Sequence, residues 1–241
     1  MKTLYESLCE SLCEDFFDNA GGSPFKSIDS WCKNNVNGDY VIDEKTLTIN
    51  SSSDIKIINR SLTEFPSYIH FGTVQGDFIC SNCITLKSLK GAPKEIGGDF
   101  CCNYCNSLTS LEGAPAKVGG DFYCNDCASL KSLKGAPKEI GGNFYGNYCK
   151  SLKSLEGAPK MVDGCFYCNS CNSLRSLVGA PEKVGFNFDC SDCVSLESLK
   201  GASKEVGGDF YCTNCPALKS LKGAPTHIKG KIFSDEDENT I

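Results

Sequence analysis

The sequence predicts a mainly β protein: one solenoid of 22-residue coils carrying a parallel sheet, with a small N-terminal α/β cap. Three observations carry this expectation. A phenylalanine recurs at a fixed interval, as Phe78, Phe100, Phe122, Phe144, Phe166, Phe188 and Phe210, and Ile232 takes the eighth place. Val74, Ile96, Val118, Ile140, Val162, Val184, Val206 and Ile228 keep the same interval, as do two leucine series running from Leu86 to Leu218 and from Leu89 to Leu221. Between these markers there is no room for a helix, and a unit so short must bury its apolar face against its neighbours.

The elements follow in order. Residues 1–60 read as the cap. Leu4, Leu8, Leu12 and Phe16 stand at helical spacing beside Tyr5, Cys9 and Cys13, so residues 3–18 are expected to form an amphipathic helix that Gly21 and Gly22 end. It would serve either as part of the cap or as a docking peptide. Ser23 and Pro24 suit the start of a second helix, with Phe25, Ile28, Trp31 and Cys32 on its apolar side. Asn37-Gly38 then turns the chain into strands expected around Tyr40 to Ile42 and Thr46 to Ile49. In the array, residues 61–231, the alternation around Phe100 and Cys102 marks one short strand per coil. Gly97 and Gly98 allow the turn into it, and Gly-Ala-Pro at 91–93 imposes an irregular return. Residues 232–241 form an acidic end whose charges would blunt an exposed strand edge.

Eighteen cysteines include a Cys-x-x-Cys on most coils. Cys80, Cys102, Cys124, Cys168, Cys190 and Cys212 share the inward face of the strand with phenylalanine. Cys83, Cys105, Cys127, Cys149, Cys171, Cys193 and Cys215 follow three residues later, where the chain bends away. Packed thiols behave as small apolar residues. The competing reading is structural zinc, since pairs on two adjacent coils supply four sulfurs. Repetition on every coil argues against a ligand set, and so does Gly146, which removes one member without disturbing the period.

This order is similar to that of leucine-rich repeats, in which Asn or Cys saturates backbone groups at the bend. More closely, the units resemble a repeat of tailed-phage and bacterial proteins, L-x-S-L-x-G-A-P-x-x-V-G-G-D-F-x-C. The segment WCKNNVNGDYVIDEKTLTIN resembles the region preceding the array in that family. The resemblance implies a leucine-rich-repeat-like solenoid over nearly the whole chain, and a setting in the virion or the host cytoplasm. It implies no biochemical activity.

Composition narrows the function. The net charge of −6 is concentrated outside the array, whose 18 bases and 16 acids nearly balance. That balance speaks against nucleic acid or an anionic membrane as partner. No apolar run reaches the length of a membrane span, and the acids among the first residues are unlike a signal peptide. A cytoplasmic, reducing compartment is therefore expected. Only two histidines are present, His70 and His227, and neither recurs beside a cysteine pair, so no catalytic residue, cofactor or metal ligand is assigned.

The outward strand face is the candidate site. Tyr123, Tyr145, Tyr167 and Tyr211 occupy one alternation position, with Ile79, Cys101 and Asp189 in the other coils. Asp99, Asp121, Asn143 and Asp209 belong to the preceding column, and Asn103, Asn125, Asn147 and Asn169 lie beyond. Aromatics with polar tips favour partner binding, so the expected role is a non-catalytic scaffold for an unidentified protein partner. The same row read structurally would merely stabilise the ladder.

Overall fold

The computed structural model describes residues 24–235. The helix expected over 3–18, with Cys9 and Cys13, and the acids after Asp235 lie outside the described residues. The first described element, helix α1 (Pro24–Asn35), begins on the proline the sequence marks. Ile28 and Cys32, one turn apart, are buried, and Trp31 lies edge-on to Phe71 with ring centroids 6.5 Å apart. At its last turn the side-chain amides of Asn34 and Asn35 donate to the carbonyls of Ser30 and Trp31, each at 2.8 Å.

After α1 the chain winds into stacked coils. Ten strands make one sheet: Val36–Asn37, Ile55–Ile57, Phe78–Ile79, Phe100–Cys101, Phe122–Tyr123, Phe144–Tyr145, Phe166–Tyr167, Phe188–Asp189, Phe210–Cys212 and Ile232–Ser234. The first pair is antiparallel and the rest parallel, each array strand pairing with the one 22 residues on, as Phe122 with Phe144. Parallel stacking thus begins upstream of residue 61, at Ile49 and Ile55.

Each coil contains a second strand that periodicity does not reveal, and the expectation of one strand per coil is corrected accordingly. The valine and isoleucine column, as in Glu95–Ile96 and Lys117–Val118, pairs in parallel; it supplies four strands of a six-stranded sheet that Ile49–Ser51 and Val41–Ile42 complete, and all of another of four. Strands such as Glu95–Ile96 and Lys117–Val118 are only two residues long, one exposed and one buried. The cap strands also shift: Val41–Ile42 and Ile49–Ser51 form an antiparallel pair, and Leu47 turns between them with φ of 53°. Asp43 holds that turn by accepting the amides of Lys45 and Thr46.

The core lies between the sheets and the return. Phe78 through Phe210 are wholly buried and stacked ring on ring, with centroids 4.8 to 5.7 Å apart. Identical residues stack because every coil repeats its neighbour's path. That repetition also explains the glycines. A Cβ on Gly119 would collide with the carbonyl oxygen of Gly97 in the coil before, and one on Gly141 would meet Gly119 in the same way. In the interior of this column only Asp163 departs from glycine. There the second sheet breaks between Ile140 and Val162, and the bond from the Asp163 amide to the Ile140 carbonyl stretches to 3.5 Å. Its counterparts from Gly119 and Gly185 are 2.9 Å.

Candidate functional site on the strand face

The outward columns of the ten-stranded sheet form two kinds of ladder. In the first, a side chain binds the backbone of the next coil. The Oδ1 of Asp77 accepts the amide of Asp99, Asp99 that of Asp121, Asp121 that of Asn143, and Asn143 that of Cys165, at 2.6 to 2.7 Å. Asn187 and Asp209 continue it to Asp209 and Lys231. Cys165 holds the place of a carboxylate and accepts the Asn187 amide through sulfur at 3.4 Å. Asn103, Asn125 and Asn147 run a parallel ladder of the same design. The Asp/Asn members of the candidate site are thus half-buried braces with one oxygen already committed.

The second ladder is aromatic. Tyr123 and Tyr145 stack at 4.6 Å with planes 2° apart, and Tyr145 and Tyr167 at 5.0 Å and 11°. Tyr123 donates its hydroxyl to Oδ2 of Asp121 at 2.8 Å, and Tyr211 to Oδ2 of Asp209 at 3.1 Å. Partial burial, then the bond to the carboxylate, pushes both hydroxyls up in pKa. All four tyrosines are half-buried. The row is not continuous: Asp189 pairs with Tyr167 on one side and Tyr211 on the other, so Tyr211 is parted from the first three.

Sequence reasoning missed one member. Phe233 stacks on Tyr211 at 4.8 Å and 7° and remains partly exposed, which extends the row to the last described coil. Its signal was present, because Phe233 lies 22 residues after Tyr211.

The cysteines belong to the core. The third residue of each Cys-x-x-Cys, such as Tyr104 or Asp126, has a left-handed φ of 59° or 56°, and this turn fixes the spacing of the pair. The second thiol donates to a carbonyl of the coil before: Cys105 to Cys80, Cys127 to Cys102 and Cys149 to Cys124, each at 3.2 Å. Cys171 does the same to Gly146 at 3.3 Å. Burial pushes the wholly buried Cys168 and Cys190 well above the ordinary thiol pKa, and Cys193 up to about 12. Cys101, half-buried, is also pushed up to about 12, by burial and then by Asp99, away from the lowered pKa of a reactive thiol. Where Gly146 replaces a cysteine, an added Cβ would lie 2.8 Å from the Phe144 ring, which fills the space. Among the described residues no three His, Cys, Asp or Glu side chains are grouped to hold a metal ion.

Elsewhere several surface charges pair. Lys117 meets Glu139, Lys134 meets Glu156, Arg175 meets Glu197 and Lys183 meets Glu205, each across one coil at 3.0 to 3.4 Å. A shallow groove over Gly185 and Gly207, bordered by Lys183, Glu205 and His227, lies on the four-stranded sheet. Among the described residues no helix is long and apolar enough to cross a membrane. No family model matches the chain, and no curated protein or solved structure matches it either.

Proposed function

We propose that this protein is a non-catalytic interaction scaffold that binds a protein partner on the outward face of the ten-stranded sheet. The observation that carries the reading is the tyrosine row, in which burial of the phenylalanines obliges Tyr123, Tyr145 and Tyr167 to face out at coil spacing. Their hydroxyls and edges, set in a rigid stack, offer contact area that loses little rotamer freedom on binding. The buried, hydrogen-bonded thiols support a reducing compartment as the setting.

The test is capture of partners on immobilised full-length chain, comparing wild type with the double variant Tyr145→Ser and Tyr167→Ser. The variant should keep the melting profile of a stacked array while partner affinity falls on the order of tenfold or more, as for hot-spot residues. Unchanged capture would place the interface elsewhere, and loss of folding would make the row purely structural.

A further inference from the structure

Building on the strand-face reading, we infer that the gap at Asp189 is a slot for the guanidinium group of an arginine presented by the partner. The column runs Tyr123, Tyr145, Tyr167, Asp189, Tyr211, Phe233, so one ring is missing from an otherwise continuous stack. Strand spacing of ~4.8 Å puts the Tyr167 and Tyr211 rings about 9.6 Å apart. Within the stack, rings sit 4.6 to 5.0 Å from their neighbours. A planar group in the gap would therefore stand at ordinary stacking distance from both faces. These are the only ring faces of the row that open toward each other across an unfilled coil among the described residues.

The floor of the gap selects the charge of that group. Asp189 is short, and its Oδ1 turns back to accept the Ser191 amide at 2.8 Å, so the carboxylate stays low and its other oxygen remains available. Asp209 adds a second carboxylate one coil on, held by the Tyr211 hydroxyl. The base nearest in sequence, Lys183, does not fill the gap, because it pairs with Glu205. A flat cation between two aromatic faces above a carboxylate gains stacking, cation–π attraction and a charged hydrogen bond together. Guanidinium provides all three. An ammonium group lacks the plane, and a neutral ring lacks the charge.

The test uses the full 241-residue chain and N-acetylarginine methylamide, with the lysine analogue as comparator, followed by proton NMR of the small molecule. Ring currents from Tyr167 and Tyr211 should shift the arginine δ-methylene protons upfield, saturably, while the lysine ε-methylene protons move several-fold less. Asp189→Asn keeps the short side chain but should weaken arginine binding about fivefold. Asp189→Tyr closes the gap with the residue used by neighbouring coils, so it should abolish the shift while raising the melting temperature. Equal shifts for the two analogues, or an arginine shift that survives Asp189→Tyr, would overturn the slot. Should Asp189→Tyr not fold, the arginine preference and its loss in Asp189→Asn decide the matter. A partner that still binds Asp189→Tyr but is lost on Tyr145→Ser with Tyr167→Ser would leave the scaffold reading standing and remove only the slot.

Discussion

Gly119→Ala tests the packing logic most sharply, because general experience gives the opposite sign. At a glycine outside the left-handed region, alanine ordinarily stabilises by about 0.4–1 kcal/mol through the unfolded chain. In this fold the new methyl would be driven into the Gly97 carbonyl oxygen and lie 3.0 Å from its carbon. The coil cannot give way without breaking its ladder. Asp163 illustrates the damage: strand pairing is lost on one side and one crossing bond stretches to 3.5 Å. At Gly119 the bonds at stake are its own amide to Ile96 at 2.9 Å and the neighbouring bond from Ala116 to Lys94 at 2.8 Å. Two backbone bonds at about 1 kcal/mol each give a loss of about 2 kcal/mol. Urea denaturation measures it, with hydrogen exchange at the Gly119 amide locating the break. Lys117→Ala, an exposed neighbour, serves as control. An unchanged or increased stability for Gly119→Ala would refute the argument that intercoil contact, rather than turn formation, demands the glycine.

Three further outcomes are expected. Phe144→Ala removes a wholly buried ring stacked on Phe122 and Phe166, and it should cost about 3–5 kcal/mol by calorimetry, with cooperativity lost across the middle coils. Ser203→Pro replaces a buried hydroxyl that lacks a hydrogen-bond partner with the residue that the other coils carry there, and it should raise stability by about 1 kcal/mol in a thermal melt. Asp99 has its pKa raised, first by burial and then by Asp77 and Asp121, so the fold holds its proton more tightly than the unfolded chain does. Its penalty is present near neutrality and is relieved as pH falls through the folded pKa. Asp99→Asn, which keeps the Oδ1 acceptor as Asn143 does, should therefore raise stability at about pH 7 and flatten its change toward about pH 4.

Much of this fold is legible because stacking makes each coil solve the same packing problem, so the solution recurs at one interval. The phenylalanine, leucine and cysteine columns are of that kind. The second strand is not, because Glu95–Ile96 alternates over two residues only, too short for any period to show. Gly97 and Gly119 stand out in the sequence, yet their reason does not: they look like turn residues, whereas the constraint is a carbonyl 22 residues earlier. The candidate site divides in the same way. The facing of Tyr123, Tyr145 and Tyr167 follows from alternation alone. The commitment of Asp99 and Asp121 to the next coil's amide is invisible until coils are stacked, because it joins residues one full period apart.

The cysteines show why a metal-like spacing can arise without a metal's logic. The strand position needs a small apolar group beside stacked phenylalanines, and the bend needs a donor for a carbonyl that strand pairing leaves over. Cysteine meets both needs, and the left-handed residue between the two positions separates them by three. Coordination to zinc requires thiolates, so each ligated second cysteine would give up the S–H that binds a carbonyl such as that of Cys80 or Cys102. Each buried carbonyl left unpaired costs about 1–3 kcal/mol, and the metal would have to offset that at every coil it joined. The thirteen cysteines of the two array columns are therefore expected to be free thiols when the chain is denatured without reductant, and native mass spectrometry should give the bare polypeptide mass. Stoichiometric zinc that resists chelation, or a disulfide between neighbouring coils, would refute the packing account, because either one removes the donors on which the bends depend.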